Sequence, residues 1–215
     1  MLRTALCSTL FAVVALVAAI PVAAHETPAA APAAAGFQGD VAADLARTGE
    51  KLVALAEAIP ADKYGWRPAE GVRSMSEVFV HLASANSLMP AAMGAAPPAG
   101  AVMPPDMAAA MAWMHDREAK LTAKDEVVRE LRQSIDYAAA AMRTLESPAL
   151  EEEIDLFGFP ASRRAYVLIL LTHNHEHLGQ AIAYARSMGV TPPWSEAQAA
   201  PAEAEEEAPA KADGY

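Results

Sequence analysis

The sequence predicts an all-α fold, a four-helix bundle, and three observations predict it. Apolar residues recur at three- and four-residue steps over several long stretches. Capping and stop residues bracket those stretches. No run of alternating apolar and polar residues bounded by turn signals makes a convincing strand. The 215 residues, 53% of them hydrophobic, supply the core of one domain with tails to spare.

The folded unit is expected over residues 37–194. In the first helix Val41, Leu45, Thr48, Leu52, Leu55 and Ile59 mark one face, and Pro60 ends it. The stretch 61–72, with Trp66 among its Gly and Pro, reads as a structured connection. Ser74 followed by Glu77 makes a capping box, each side chain satisfying a free backbone N–H at a helix start. The second helix runs through His81 to Met89 or Met93. Residues 94–105 contain Pro97, Pro98, Pro104 and Pro105 and form a loop long enough to act as a lid.

A short helix carrying Trp113 and His115 is expected over 106–120. Thr122, three residues before Asp125, is a cap for the third long helix. Val128, Leu131, Ile135, Ala138, Met142 and Leu145 line one face of that helix, which Pro148 ends. Residues 154–160 read as a link containing Phe157, Gly158 and Phe159. The fourth helix runs from Ser162 to Met188, stopped by Gly189 and then Pro192-Pro193. Such helices with an overhand connection or two build a bundle, and bundles make metal sites from side chains on facing helices.

The flanks have other jobs. Residues 1–24 read as a signal peptide: Arg3, an apolar run from Leu10 to Ile20, and Val22-Ala23-Ala24 as the small-residue cleavage pattern. A retained anchor is the alternative, but the run is shorter than the ~20 residues a spanning helix needs, and Pro21 closes it. The mature chain is therefore expected to be exported, to periplasm or medium, with no stable membrane anchor after cleavage. Cleavage also removes Cys7, the one cysteine, so any metal must be held by His, Asp or Glu. Residues 25–36 form an Ala/Pro-rich linker and 195–215 an acidic, solubilising tail. The formal charge of -11 excludes nucleic acid as a partner, because a phosphate backbone calls for a basic surface.

Of the six histidines, three fall in Thr172-His173-Asn174-His175-Glu176-His177. At about 100° per residue, His173 and His177 stack one turn apart while His175 points away. Their stripe continues through Tyr166, Gln180 and Tyr184. Two imidazoles at this spacing can grip one metal ion, but an open site generally takes three protein ligands. His81, on the apolar face of the second helix with Val78, Leu82 and Ala85, is the candidate third; its other reading is a satisfied core histidine. His25, His115 and His175 read as surface or linker residues. His173-x-x-Glu176-His177 also matches the H-x-x-E-H pattern of inverted zinc peptidases, but no ordered carboxylate is expected downstream to complete that site.

The ordered features now match a family pattern. Ile59-Pro60-Ala61-Asp62-Lys63-Tyr64-Gly65-Trp66-Arg67-Pro68, then Arg73-Ser74-Met75-Ser76-Glu77 leading to His81-Leu82, resembles the second-helix entry of DinB/YfiT-like proteins. His177-Leu178-Gly179-Gln180, Ala183-Tyr184-Ala185-Arg186, Gly189 and Pro192-Pro193 resemble their final helix. The resemblance covers about Asp44 to Trp194. It implies a four-helix bundle with a three-histidine metal site, carried onto His81, His173 and His177. Glu176 stands where many relatives have a further histidine, which makes it an outer partner of the ligands or a solvent-facing residue.

Three imidazoles suit zinc, nickel and iron alike. The resemblance implies a metal-dependent enzyme on a small molecule, of thiol-transferase or hydrolase type; the alternative is a noncatalytic bundle that binds metal or a ligand. Glu176, Gln180, Tyr184 and Asn86 are candidates to orient ligands or substrate, since a metal-bound His normally donates its other N–H to an outer acceptor. Methionines cluster around loop 94–105, from Met75 to Met114, which suits either soft-metal handling or core filling. A homodimer is compatible with this architecture.

Overall fold

The computed structural model describes residues 36–98, 101, 103–156 and 158–195. The expected signal peptide, His25, most of the linker and most of the acidic tail lie outside the described residues. The helices are α1 (Phe37–Ala58), α2 (Met75–Ala92), α3 (Met107–Lys120), α4 (Lys124–Thr144) and α5 (Arg163–Ser187). No helix among the described residues is long and apolar enough to cross a membrane.

Local chemistry sets most of the boundaries. Ile59, which precedes Pro60, is extended and ends α1, because proline crowds its predecessor out of the helical region. At the start of α2 both bonds of the Ser74–Glu77 capping box form. Asp106 caps α3 by accepting from Ala109 N at 2.8 Å, and Ser162 caps α5 by accepting from Ala165 N at 3.2 Å. Gly189, with φ 75°, follows α5 in the left-handed region that favours glycine. The expected cap at Thr122 is not used: α4 starts after Ala123 with no side-chain cap bond. Asp125 and Glu126 in its first turn offer negative charge to the helix dipole instead.

One element departs from the all-helical expectation. The link over 154–160 contains a small antiparallel hairpin, β1 (Glu153–Leu156) and β2 (Phe159–Ser162), paired Glu153 with Ser162 and Leu156 with Phe159. Gly158, with φ 93°, lies between the strands, and its N–H donates to Asp155 Oδ1. Pro160 argues against a strand, but a two-stranded ribbon leaves an edge where a missing donor is tolerated.

Two buried clusters reveal how the helices run. One joins the C-terminal half of α1, the start of α2, the start of α4 and the end of α5, through Leu52, Leu55, Phe79, Leu82, Leu131 and Ala181. The other joins the start of α1, the end of α4 and the start of α5, through Val41, Leu45, Met142, Val167 and Leu170, with Met93 just past α2. Thus α1 and α5 run one way while α2 and α4 run the other. Joining the parallel pair α2 and α4 requires a return across the bundle, and α3 is that overhand connection. It lies antiparallel along α2, seating Ala110 and Met114 on Leu88 and Ala85. The α1–α4 approach is so close that a Cβ at Gly49 would stand 2.3 Å from Ile135 Cγ2.

Candidate metal centre

The middle of α2 faces the middle of α5, and three imidazoles meet there. His173 and His177 come from successive turns of α5 and His81 from α2. One ring nitrogen of each lies within 4.8 Å of the other two. Ring centres stand 5.2 Å apart for His81 and His173, 5.0 Å for His81 and His177, and 4.4 Å for His173 and His177. The interplanar angles of 63°, 70° and 88° put the rings edge-on around a common point.

That arrangement fits a metal ion. With metal–nitrogen bonds of about 2.0–2.1 Å, two imidazoles on one ion have ring centres about 4.5 Å apart at a right angle and about 5.2 Å at the tetrahedral angle. The hydrogen bonds select the free nitrogens. Glu118 Oε1 accepts from His81 Nδ1 at 3.0 Å, and Gln180 Oε1 accepts from His177 Nδ1 at 2.7 Å. Both rings therefore keep Nε2 as a lone-pair donor. His173 Nε2 is buried and has no hydrogen-bond partner among the described residues. An orphaned buried nitrogen costs stability unless something binds it, and a cation answers that need.

The outer partners are themselves held. Gln180 Nε2 donates to Tyr184 Oη at 3.1 Å, and the Tyr184 ring packs edge-on against Trp66. Glu118 Oε2 accepts from Arg73 Nε at 3.1 Å. Burial raises the Glu118 carboxyl, but its bonds to His81 and Arg73 outweigh that and hold it below the usual carboxylate range. Glu118→Gln is expected to weaken divalent-metal affinity about 10–100-fold. A competition titration against a chromogenic chelator measures this, and an unchanged affinity would remove Glu118 from the site.

Burial, reinforced by His177, His81 and Arg73, pushes the His173 imidazole down from 6.5 to about 3. Burial also lowers His177. Both are thus neutral at ordinary pH, the form that binds metal. Above pH 6.5 the two rings are neutral in the folded and unfolded chain alike. As pH falls, the unfolded chain takes up protons that the folded one refuses, so metal-free stability declines from pH 6.5 toward about pH 3. The upper part, between pH 6.5 and the ordinary Glu value of 4.5, isolates the histidines from the carboxylates. Thermal melts of metal-free protein across that window should show a slope that flattens in His173→Leu; an identical slope contradicts the assignment.

The other expected site residues stand in different surroundings. Gln180 and Tyr184 form the chain behind His177. Glu176 is exposed, the solvent-facing one of its two readings. Asn86 is fully buried and exchanges bonds with Asn174: Asn86 Nδ2 donates to Asn174 Oδ1 at 3.1 Å, and Asn174 Nδ2 donates to Asn86 Oδ1 at 2.8 Å. This amide pair fixes the register of α2 against α5 beside His173. His175 joins α5 to α1, its Nε2 lying 2.5 Å from Asp44 Oδ2, and His115 is exposed. Sequence reasoning missed Glu118 and Asn174. Each continues an apolar four-residue stripe, Ala110-Met114-Glu118 and Leu170-Asn174-Leu178, where a polar residue is the signal.

Two cavities flank the centre. One, of about 550 Å³, has His81 and His173 in a wall that is otherwise almost wholly apolar. The other, also about 550 Å³, is a polar recess lined by Arg67, Arg73, Glu77, His115, Glu118 and Gln180.

Comparison with known proteins supplies the family context. The model of the DinB superfamily matches residues 44–181. A crystal structure of a DinB-like protein from Bacillus cereus superposes with a TM-score of 0.57 at 16% identity, covering 73% of this chain and 95% of that one. A DinB-like protein from Bacillus subtilis superposes with a TM-score of 0.53 at 21% identity, covering 71% of this chain and 94% of that one. No curated protein sequence matches the chain.

Proposed function

This chain belongs to the DinB superfamily, and from that premise we propose that it is an exported metal-dependent transferase or hydrolase acting on a small molecule, with His81, His173 and His177 holding one divalent ion. The observation that carries the reading is the buried Nε2 of His173, unpartnered among the described residues, beside two imidazoles whose Nδ1 atoms are already bound. A divalent ion held there supplies Lewis acidity. The chain's own contribution is orientation: Glu118 and Gln180 fix two rings, and the Asn86–Asn174 pair fixes the helices that carry all three. Export is inferred from the signal-like residues 1–24. It favours hydrolysis over thiol transfer, because reduced small thiols are chiefly a cytosolic resource.

A noncatalytic metal-binding role is the second reading. It is favoured by the engagement of both Glu118 oxygens and the solvent-facing position of Glu176, which leave neither carboxylate poised as a base. Elemental analysis of the purified chain should find about one divalent ion per chain, lost when all three histidines are replaced. Metal content indifferent to that replacement removes the metal reading. Metal-dependent turnover on a panel of ester, amide, phosphoester and thiol-conjugation substrates separates the enzyme from the binding protein; stoichiometric metal without turnover selects the latter.

A further inference from the structure

The two faces of the histidine cluster differ in kind. On the polar side the recess exposes Arg73, Glu118 and Gln180, the groups that hold or support the rings. On the other side the rings themselves form part of a chamber wall, through His81 and His173. That chamber is bounded by α2, α3, the first half of α5 and the β-hairpin. Its body is made by Met89, Met107, Met111, Met114, Phe159 and Ile169, and among the described residues no Lys, Arg, Asp or Glu lines it. Tyr166 brings a hydroxyl, but that group donates to the Phe159 carbonyl.

We propose that this chamber is the substrate pocket of the histidine site, taking an uncharged or amphiphilic molecule with an extended apolar body and a single metal-ligating head. The proposal rests on the metal reading above and adds the substrate class. A charged or richly polar body finds no partner in the chamber, and its desolvation goes uncompensated. Among the described lining residues, the histidines are where a polar head is answered. A volume of about 550 Å³ suits a small organic ligand. Four of the lining side chains are substantially exposed: Met107 and Met111 at 37%, Ile169 at 49% and Phe159 at 64%. Exposed apolar groups gathered around one cavity mark a binding surface, and methionine side chains adapt to ligands of varied outline. The hairpin thus has a function in this scheme: Leu156, Phe159, Pro160 and Ala161 contribute to the chamber wall.

The test uses nickel-loaded full-length protein and two hydroxamic acids, acetohydroxamic and octanohydroxamic, which share a metal-binding head and differ in chain length. Calorimetric titration should show affinity rising by up to about fourfold per added methylene, at least a hundredfold between the two probes. Met111→Gln and Ile169→Gln should each cut that ratio about tenfold with metal content unchanged, while Met111→Leu preserves it. Equal affinities for the two probes overturn the proposal, as does a chain-length effect untouched by either glutamine. If these variants instead change only the association state, the apolar face belongs to a second copy of the chain and the proposal fails. A metal-free arm separates the two readings. The uncharged probe N-phenyl-1-naphthylamine should bind the native chamber and lose affinity in Met111→Gln. Naphthylamine binding by a protein that takes up no metal overturns the metal reading and the head-first orientation together, whereas metal uptake without naphthylamine binding overturns the chamber alone.

Discussion

Replacing His173 with leucine should raise the stability of the metal-free protein and abolish the stabilisation expected of the native chain when it is given the proposed divalent ion. In the native protein His173 Nε2 is buried without a partner among the described residues, and an unsatisfied buried donor or acceptor costs about 1–3 kcal/mol. Leucine occupies a similar volume and demands no hydrogen bond, so the metal-free variant should gain about 1–2 kcal/mol. Metal reverses the order. At a thousandfold excess over the dissociation constant, a ligand that binds only the folded state adds about 4 kcal/mol. The native chain should show that gain and the variant, with two imidazoles left, very little. Thermal melts with and without zinc or nickel give both numbers. A histidine serving only the core would behave oppositely: its loss would lower the metal-free midpoint and leave the metal response untouched.

The second large effect is structural. Asn174→Ala should destabilise the fold by about 2–4 kcal/mol, combining a stranded amide on Asn86 with the space left by the truncation. In a domain of this size that lowers the melting midpoint by roughly 5–15 °C. Asn86 and Asn174 are essentially inaccessible, and Asn174 also donates to Leu170 O at 2.9 Å, so water cannot readily replace the lost group. Replacing both residues with leucine should recover much of the loss, since two apolar side chains leave no stranded amide. Denaturant unfolding of the single and double variants measures the coupling. Additive losses would show that the pair is not a unit. Because the pair sits beside His173, metal affinity should weaken in the double variant even where stability returns.

The sequence displayed these features unevenly, for physical reasons. The four long helices were legible because their apolar spacing, caps and prolines are local, and local rules govern Ser74–Glu77, Ser162 and Ile59-Pro60. The His173–His177 pair was legible for the same reason, since one helical turn separates the two. His81 lies 92 residues before His173 in the chain, and only the topology brings it opposite. Glu118 was hidden further, because its contact with His81 depends on α3 folding back along α2. The hairpin escaped notice because each strand has four residues, too few for alternation to stand out, and Pro160 speaks against one of them. Thr122 carried a valid signal that α4 did not use.

The attachment of α3 gives the centre a kinetic property. This helix buries little more than Ala110, Met114 and Glu118 and rests on a small cluster against α2, apart from the two main cores. Segments with so few buried contacts open at a fraction of the free energy that unfolds the whole domain. Glu118 travels with α3, so each opening withdraws the carboxylate that fixes the His81 tautomer. Ion exchange at the three imidazoles should therefore keep pace with amide hydrogen exchange in α3, and packing at Ala110 and Met114 would set how long an ion stays.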